Sequence, residues 1–579
     1  MDSKGDIRNK EHIFYLIIII KLFYYEALYM QGNIRKILTD KTQEVTSSLF
    51  GDVVPTTLVS KVDNEIFGDY STNVALILAK KLSQNPLDIA NSIVASLNPF
   101  LKDVAVASVV KPGFVNFSLT EGRIMSNLSD ITNLKDLFGE NALGKGKNVS
   151  VEFVSANPTG PLHVGNTRGG PIGDVLANVL ALSGYKVIRE YYHNDLGVQV
   201  TKLGESILYH IKKEKGEKAE LPEGGYEGDY VKEIAKEFVL GFDPKEGRTL
   251  KPEELGKMAV EYYLKDILEI CQKIGIKFDK ISKESQIATN ATVNTLKEKN
   301  LLKQSDGALW FAPHDDLLQD RECVVIKSDG SYTYFANDIA YHLQKLNDKN
   351  DLLIDIWGAN HFGHVPRMQA SLSALGHKDK LKVILYQWVT LIRNGKEVSM
   401  SKRKGNFVTA RELLDEVGSD ALRWFFLDKD SQSHIKFDLD LAKKQSKENP
   451  VYYVQYAHAR MCSVLAKVGE NNENKENKEN KENMIDGVDM WEALKKEERS
   501  LIRELIYFPD LVEDIARTYK VHDLTAYSLR LADRFHKFYE ACIIIGSPQE
   551  KQRSEIVKAS KQVLKNTLDL LGINAPEKM

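Results

Sequence analysis

The sequence predicts an α/β protein built on a doubly wound parallel sheet, with an α+β domain before it and an all-α bundle after it. A β-branched strand at residues 149–155, a helix, and a second strand in "KVIREYY" (186–192) follow one another in the order of a βαβ unit. Because βαβ units form parallel sheets covered by helices, this order indicates a Rossmann-like core. Beyond residue 440, apolar residues recur at three- and four-residue spacing, which is typical of a helical bundle.

The helix of the βαβ unit carries start and stop signals. Pro171 suits its first turn, and Gly184 is placed to end it. Its apolar face consists of Ile172, Val175, Leu176, Val179 and Leu180. The helix therefore packs one face on the sheet, directly after the turn that leaves the first strand.

The flanking segments have other patterns. Residues 69–82 have the spacing of an amphipathic helix, and residues 113–119 alternate like a strand, so the domain before the core is predicted to be α+β. Inside the bundle, "NENKENKENKEN" has no apolar residue to bury and predicts a disordered loop. The expected units are an extension (1–29), the α+β domain (30–119), a linker (120–147), the α/β core (148–440) with a helical insertion at about 202–308, and the bundle (441–579) with a loop at 470–485.

Bulk composition narrows the class of protein. A chain of 579 residues is too long for one hydrophobic core. Its net charge of −3 gives no overall basic field, although a nucleic-acid partner needs only one positive face. The four cysteines form no C-x-x-C pair, so we expect a reducing compartment, the cytoplasm, rather than a disulfide scaffold.

The first residues are unusual. Residues 13–30 are apolar, but Lys21 and Glu26 interrupt them, and the unbroken part is too short to span a bilayer. A signal peptide or anchor is the alternative, and it lacks a good small-residue cleavage site. We favour an extension upstream of a folded protein that begins at Met30, and we expect no membrane association.

The turn after the first strand, "SANPTGPLHVGNTRGG", is the first candidate functional motif. A bend rich in glycine that leads into a helix N-terminus can hold phosphate, because backbone N–H groups and the helix dipole both favour negative charge. His163 lies in this bend and could donate to a phosphate oxygen as charge develops. The segment matches neither a P-loop nor a G-x-G-x-x-G fingerprint, and a histidine in a turn is usually structural.

The second motif, "VSMSKRKGN" (398–406), lies far along the chain. Lys402, Arg403 and Lys404 occur among small polar residues, in a segment that is predicted to be a flexible loop. Such a loop could close on a triphosphate and bring an ammonium to the leaving pyrophosphate. By itself, a run of cations is usually only a solvated surface.

Together and in this order, the two motifs resemble the signatures of class I aminoacyl-tRNA synthetases. Residues 163–166 match the pattern His-Ile-Gly-His, and residues 399–403 match Lys-Met-Ser-Lys-Ser. "VEFVSANPTGPLHVGN", "EYYHNDLGVQ", "YTYFANDIAYH" and "SKRKGNFVTARELLDEVGSDALR" further resemble the arginyl-tRNA synthetase family, over nearly all of the chain from Met30. The resemblance implies a ligase that activates arginine with ATP and transfers it to tRNA(Arg), with tRNA binding by 30–119 and anticodon binding by 441–579.

The resemblance also implies which residues act. The arginine ligands would be Glu152, Ser155, Asn157, Tyr334 and Asp338, and the catalytic residues His163, Asn166 and Lys402. The ATP site would comprise Gly160, His163, Gly165, Asn166, Gly358, His361, Met400, Ser401, Lys402 and Arg403, and the tRNA site would include Tyr453, Tyr456 and Arg460.

Some of these assignments also have support in the residues themselves. Glu152 is a carboxylate within a β-branched strand, which is costly unless a cation pairs with it, either a ligand or a structural partner. Tyr334 and Asp338 are four residues apart and would share a helix face. Tyrosines at helical spacing, such as Tyr453 and Tyr456, are more often part of a core than of an RNA surface.

Two positions depart from the family pattern. Asn166 replaces the second histidine of the first signature, and an amide donates a hydrogen bond but carries no charge. Ser399 replaces the first lysine of the second signature, and Gly160 stands where some relatives carry a compensating lysine. Lys402 then becomes the indispensable cation, and we expect slower activation rather than none.

The expected partners are tRNA, arginine and ATP, and the chain is expected to be a monomer. Mg²⁺ should arrive with ATP rather than in a protein cage. His361 and His364 have a spacing that occurs among zinc ligands, but no further Cys or His cluster lies nearby in the sequence, so zinc is not expected.

Three other functions stay open at this stage. Another class I synthetase, such as the glutaminyl or cysteinyl enzyme, would lack the Glu152, Tyr334 and Asp338 set. A tRNA-binding protein with lapsed catalysis would fit Asn166 and Ser399. A small nucleotidyltransferase would share the histidine motif but would have no use for two RNA-binding flanks.

Overall fold

The computed structural model describes residues 33–241, 251–313, 318, 323–398, 408–476 and 493–579. The helices are α1 (Ile34–Phe50), α2 (Val74–Leu82), α3 (Pro86–Leu101), α4 (Glu121–Leu134), α5 (Val164–Thr167), α6 (Gly169–Leu182), α7 (Val198–Glu214), α8 (Asp229–Gly241), α9 (Pro252–Lys273), α10 (Thr289–Glu298), α11 (Tyr334–Asn347), α12 (Val365–Ala374), α13 (Ala410–Val417), α14 (Ser419–Leu427), α15 (Leu439–Ala442), α16 (Pro450–Glu476), α17 (Lys496–Ile506), α18 (Phe508–Thr518), α19 (Asp523–Ala541) and α20 (Glu550–Leu571). The strands are β1 (Ser60–Lys61), β2 (Tyr70–Thr72), β3 (Ala105–Val110), β4 (Phe114–Leu119), β5 (Asn148–Glu152), β6 (Lys186–His193), β7 (Lys280–Lys283), β8 (Leu302–Ser305), β9 (Ala308–Phe311), β10 (Cys323–Ile326), β11 (Leu352–Gly358), β12 (Leu381–Tyr386), β13 (Val389–Arg393), β14 (Lys396–Glu397) and β15 (Ile435–Asp438).

The core of the chain is a five-stranded parallel sheet in the order β12-β11-β5-β6-β7. The strand order reverses direction at β5, from which β6 and β7 lie on one side and β11 and β12 on the other. This confirms the predicted doubly wound α/β fold. Ligands of such folds bind at the carboxyl ends of the strands near the reversal, which here are the ends of β5, β6 and β11.

The predicted helical insertion at about 202–308 needs a correction. Its first part is helical, in α7, α8 and α9, but β7 (Lys280–Lys283) pairs with β6 and forms an edge of the main sheet. Four residues of the sequence KISK, of which three are polar, give too weak a strand signal to be recognised. The helical segment therefore ends at α9, and the chain then returns to the core.

The domain before the core combines α1–α3 with an antiparallel sheet in the order β1-β2-β4-β3. The segment that was predicted to be a linker, 120–147, is helical over α4 and makes contacts of its own. The Asn566 side-chain amide in α20 donates to the carbonyl oxygen of Lys135 at 2.8 Å. Residues 120–147 thus contain a structured element that packs on the last helix.

The last part of the chain is an all-α bundle of α16–α20, as predicted. Helix α16 continues to Glu476, so the predicted loop at 470–485 begins inside a helix, and residues 477–492 lie outside the described ranges. The extension 1–29 also lies outside them. Among the helices within the described ranges, none is long and apolar enough to cross a membrane.

Buried ion pairs fasten the first domain to the bundle. The Arg503 guanidinium of α17 lies 2.5 Å from the carboxylate of Asp69, which precedes β2. The Tyr70 hydroxyl donates to Asp510 of α18 at 2.8 Å. Side chains that are charged and almost fully buried are stable only when they are paired in this way. The two domains that flank the core thus contact each other directly.

Candidate active site

The chain leaves the central strand β5 through two residues with left-handed backbones. Val154 has φ 67° and Ser155 has φ 35°. For a β-branched residue such as valine this region is a genuine outlier, and it costs on the order of 1–3 kcal/mol. Strain of this kind persists where the surroundings enforce it, most often at functional sites. Here it turns the chain sharply at the carboxyl end of β5.

His163 caps the short helix α5 at the end of this turn. Its Nδ1 accepts a hydrogen bond from the backbone N–H of Asn166 at 3.3 Å. Since Nδ1 accepts, a neutral imidazole carries its hydrogen on Nε2. Gly165 gives the ring room, because a Cβ at Gly165 would come within 3.1 Å of Cε1 and Nδ1 of His163. Gly165 and Asn166 therefore fix the orientation and the tautomer of the His163 ring.

The residues that follow the second signature pair with the first signature. The Val164 N–H donates to the Val408 carbonyl oxygen at 3.2 Å, and the Ala410 N–H donates to the Leu162 carbonyl oxygen at 2.7 Å, so His163 and Thr409 form a β-bridge. Residues 399–407, with Met400, Ser401, Lys402 and Arg403, lie outside the described residues. Val408, the residue that follows them, is nevertheless hydrogen-bonded to the first motif. Nine residues separate Val398 from Val408.

Replacing Gly165 with alanine should lower the rate of the aminoacylation reaction that the sequence predicts, without unfolding the protein. The added methyl group would press on the His163 ring at 3.1 Å and turn it away from its present direction. We expect kcat to fall about tenfold, because the imidazole is still present but is no longer aligned. The matched control is Gly122→Ala, where an added Cβ meets nothing within 4 Å. Wild-type kcat in Gly165→Ala, measured with arginine, ATP and tRNA all saturating, would contradict this role of the ring position.

Four carboxylates converge on one tyrosine at the carboxyl ends of the strands. Burial, followed by the charges of Glu284, Asp338, Glu152 and Asp195, raises the pKa of Tyr192 in β6. The four acidic groups come from four different parts of the chain and lie within electrostatic range of the same hydroxyl. Glu152 and Asp338, which were assigned to one ligand from the sequence, therefore lie on the same side of the sheet.

Glu152 is held from two directions. Its Oε2 accepts a hydrogen bond from the Lys345 ammonium at 2.8 Å, and its Oε1 accepts one from the Ser155 hydroxyl at 3.0 Å. Ser155 Oγ accepts in turn from the backbone N–H of Tyr192 at 3.1 Å. Burial raises the pKa of the Glu152 carboxyl, and the Lys345 ammonium opposes this rise. The structural ion pair that the sequence left open as an alternative is present, with Lys345 as its cation.

Tyr334 and Asp338 share a face of α11, as their spacing predicts. Tyr334 opens the helix and is 58% exposed, and Asp338 Oδ2 lies 2.8 Å from His364 Nε2. Asn157, in the turn after β5, donates to the Gln199 side chain at 3.4 Å. The helix start and the β5 turn thus border the acidic group from two sides.

The sequence pointed to neither Asp195 nor Glu284 of the acidic group. Burial and the negative charges of Asp338 and Asp195 raise the pKa of Glu284 to about 7. A hydrogen bond from the Asn337 amide at 2.5 Å acts in the opposite direction and lowers this pKa. Within the described part of the chain, neither Glu284 nor Asp195 forms an ion pair with a cation. Negative charge of this density at a partly buried site favours a cationic ligand.

Of the nucleotide-site residues that were predicted from the sequence, Gly160 lies between β5 and α5, and Gly358 ends β11. A Cβ at Gly160 would come within 2.9 Å of the Tyr230 ring, and one at Gly358 within 2.7 Å of the Asn360 side-chain oxygen, so both sites depend on the absence of a side chain. His361 follows β11 and lies 6.1 Å from Trp357 between ring centroids. Burial and the neighbouring His364 lower the pKa of His361. No cluster of three or more side chains that could hold a metal ion occurs among the residues that the structure describes.

A second, separate candidate surface lies on the bundle. The Arg460 guanidinium lies 4.3 Å above the ring of Tyr539 and 5.7 Å above that of Tyr456. His536 stacks on Tyr456, with ring centroids 6.0 Å apart. Tyr453 is partly buried against the core, whereas Tyr456 is 39% exposed. Of the three residues that were predicted to bind RNA, Tyr456 and Arg460 thus belong to one aromatic and cationic patch, and Tyr453 lies at its buried edge.

Three family models match the chain in succession. Residues 32–119 match the arginyl tRNA synthetase N terminal domain, residues 127–438 the catalytic domain of class I (R) tRNA synthetases, and residues 454–579 the DALR anticodon binding domain. The middle match alone covers more than half of the chain.

Individual proteins agree with these models. The chain is 40% identical to an arginine–tRNA ligase of a Geobacter species, over 91% of this chain and 95% of that one. It is also 40% identical to the arginine–tRNA ligase of Carboxydothermus hydrogenoformans, over 90% of this chain and 94% of that one. The fold is similar to that of the Thermus thermophilus arginyl-tRNA synthetase, with a TM-score of 0.73, 22% identity, and coverage of 94% of this chain and 100% of that chain.

Proposed function

The chain belongs to the arginyl-tRNA synthetase family of class I ligases, and we propose that the crevice at the carboxyl ends of β5, β6 and β11 is where it joins arginine to tRNA. The observation that carries this proposal is the β-bridge between His163 and Thr409. Because of this bridge, the segment that contains Lys402 is followed directly by residues that pair with the histidine motif. The two motifs can then act on one nucleotide.

We assign the acidic group to the arginine side chain. A guanidinium presents five N–H donors in a planar fork, and it needs carboxylates to neutralise it. Glu284 and Asp338 supply charge, Tyr334 and Tyr192 supply hydroxyl groups, and Glu152 adds charge from β5. Ser155 and Asn157, in the strained turn, are the proposed contacts for the α-amino and carboxylate groups.

In the first step, a carboxylate oxygen of arginine attacks the α-phosphorus of ATP, and the bond to pyrophosphate breaks. His163 is proposed to donate its Nε2 hydrogen to a phosphate oxygen, while the start of α5 and the Lys402 ammonium favour the negative charge that develops. Asn166 sets the histidine tautomer through its backbone N–H. In the second step, a hydroxyl group of the terminal tRNA ribose attacks the carbonyl carbon of the adenylate and AMP leaves.

We propose that Mg²⁺ arrives with the ATP phosphates, because this ion keeps several waters and is usually bound through substrate phosphates. Gly160, Gly165, Gly358 and His361 are proposed to line the ATP site together with Met400, Ser401, Lys402 and Arg403. We also propose that the enzyme acts as a monomer in the cytoplasm. The cysteine usage supports this compartment, since the sequence holds four cysteines and all four are free thiols.

The patch of Tyr456, Arg460, His536 and Tyr539 is proposed to bind bases of the anticodon loop. Stacking of an unpaired base on an aromatic ring contributes roughly 1–3 kcal/mol. Tyr456→Ala should therefore raise the KM for tRNA by about tenfold or more and leave the KM for arginine unchanged. Steady-state aminoacylation checks this, with Tyr262→Ala, an exposed tyrosine on α9, as the control. An unchanged KM for tRNA would remove Tyr456 from the interface.

Pyrophosphate exchange tests the proposal as a whole. With arginine and the cognate tRNA, we expect ATP–pyrophosphate exchange by the purified chain, and none when arginine is omitted. In the family, activation needs bound tRNA, so the tRNA-free arm should be inactive. Exchange driven by glutamine or cysteine would favour another class I synthetase. Retained tRNA binding without any exchange would favour lapsed catalysis.

A further inference from the structure

Four buried ionisable side chains form a network at the edge of the acidic group. The Lys345 ammonium donates to Glu152 Oε2 at 2.8 Å and to Asp355 Oδ1 at 3.0 Å. Asp355 Oδ2 lies 2.6 Å from His342 Nε2, and His342 Nδ1 lies 2.7 Å from the Asp338 carbonyl oxygen. Lys345 and Asp355 are completely buried. An unbroken series of hydrogen bonds thus joins Glu152 on β5 to Asp338 on α11.

The Lys345 ammonium contacts two carboxylates and one aromatic ring. It lies 4.5 Å from the centroid of the Tyr341 ring. Tyr341 in turn stacks on Tyr192, with centroids 4.4 Å apart. The lysine therefore contacts both the carboxylate of Glu152 and the aromatic pair that borders the acidic group.

The Lys345 ammonium is placed to neutralise the carboxylates of the network. Burial alone would raise the pKa of Asp355, but Lys345 and His342 hold it at about 2, so this carboxylate is ionised. The ring nitrogens of His342 lie against two acceptor groups, the Asp355 carboxylate and the Asp338 carbonyl oxygen. Loss of the ammonium would leave a buried carboxylate without this cation.

We propose that Lys345 is a positioning residue for arginine recognition, which keeps the Glu152 carboxylate ionised and fixed in one orientation. This inference rests on the proposed function, in which Glu152 contacts arginine. Without the ammonium, Glu152 could take up a proton or rotate toward water, and either change removes negative charge from the arginine side chain.

The test compares Lys345→Gln and Lys345→Met with the wild-type chain in tRNA aminoacylation. Glutamine keeps an amide donor without charge, so it serves as the folded variant if methionine does not fold, and far-UV circular dichroism checks both. We expect the KM for arginine to rise about tenfold or more, and the KM for ATP to stay within about twofold. Lys280→Gln is the matched control, because Lys280 lies 3.3 Å from the buried Glu190 in the neighbouring strand.

Two results would overturn the inference. One is an arginine KM within about twofold of wild type in a folded variant. The other is a parallel rise in the KM values for arginine and ATP, which indicates general damage to the fold. Failure of the proposed function itself is distinguishable, because the wild-type chain would then show no exchange with arginine.

Discussion

His163→Ala should reduce the rate of ATP–pyrophosphate exchange by about 10²–10³-fold, with little change in the KM for arginine. A positioned donor to a charge that develops in the transition state is typically worth this much, and the Nε2 hydrogen of His163 is such a donor in the proposed mechanism. The acidic group is made by other side chains, so arginine binding does not depend on the imidazole. Exchange kinetics at saturating arginine and tRNA measure the effect.

His434→Ala is the control for the histidine change. His434 is exposed, and its Nε2 lies 2.8 Å from the Thr390 hydroxyl. Its loss should therefore leave exchange within about twofold of wild type. A large effect of His163→Ala on the KM for arginine, without an effect on the exchange rate at saturation, would place the imidazole in binding instead of in the chemical step.

Local patterns predicted the local parts of the site. The βαβ order, the histidine at a helix start, and the spacing of Tyr334 and Asp338 each depend on neighbours within one turn or one strand, where sequence periodicity is informative. The pairing of Leu162 with Ala410 depends on two segments that are far apart in the chain. No local signal predicts that contact, and only the likeness to known signatures suggested it.

Glu284 was missed for a physical reason. It follows directly on β7, whose four residues are mostly polar because this strand lies at the edge of the sheet. The segment was therefore predicted to be part of a helical insertion, and a glutamate there appeared to be a solvated charge. Recognition of the edge strand would have placed Glu284 at the carboxyl end of the sheet.

The spacing of the charged residues around Lys345 is a weaker signal that could have predicted the buried network. Asp338, His342 and Lys345 are spaced by four and three residues, which puts them on one face of α11. Charged residues with such spacing usually face water, so the pattern alone does not distinguish a buried network from a surface. Glu152 was the better indicator, since its position in an apolar strand required a cation, and the sequence left open whether that cation is a ligand or part of the protein.

Glu284→Gln should weaken arginine binding and change its pH dependence. Loss of one carboxylate from a partly buried charge pair costs about 2–5 kcal/mol, so we expect the KM for arginine at pH 8 to rise at least about 30-fold. In the wild type, Glu284 has a pKa of about 7 before arginine binds. Below that pH the Glu284 carboxyl is protonated. It must lose this proton before it can neutralise the guanidinium of arginine.

The sign of the pH effect follows from this competition. The wild-type KM for arginine should fall as pH rises toward 7 and level off above it, with a slope of at most about tenfold per pH unit on the acid side. Glutamine cannot titrate, so Glu284→Gln should flatten this limb. Glu298→Gln, an exposed glutamate at the end of α10, should keep both the KM and its pH profile. An acid limb that persists unchanged in Glu284→Gln would show that Glu284 is not the group that controls arginine binding below pH 7.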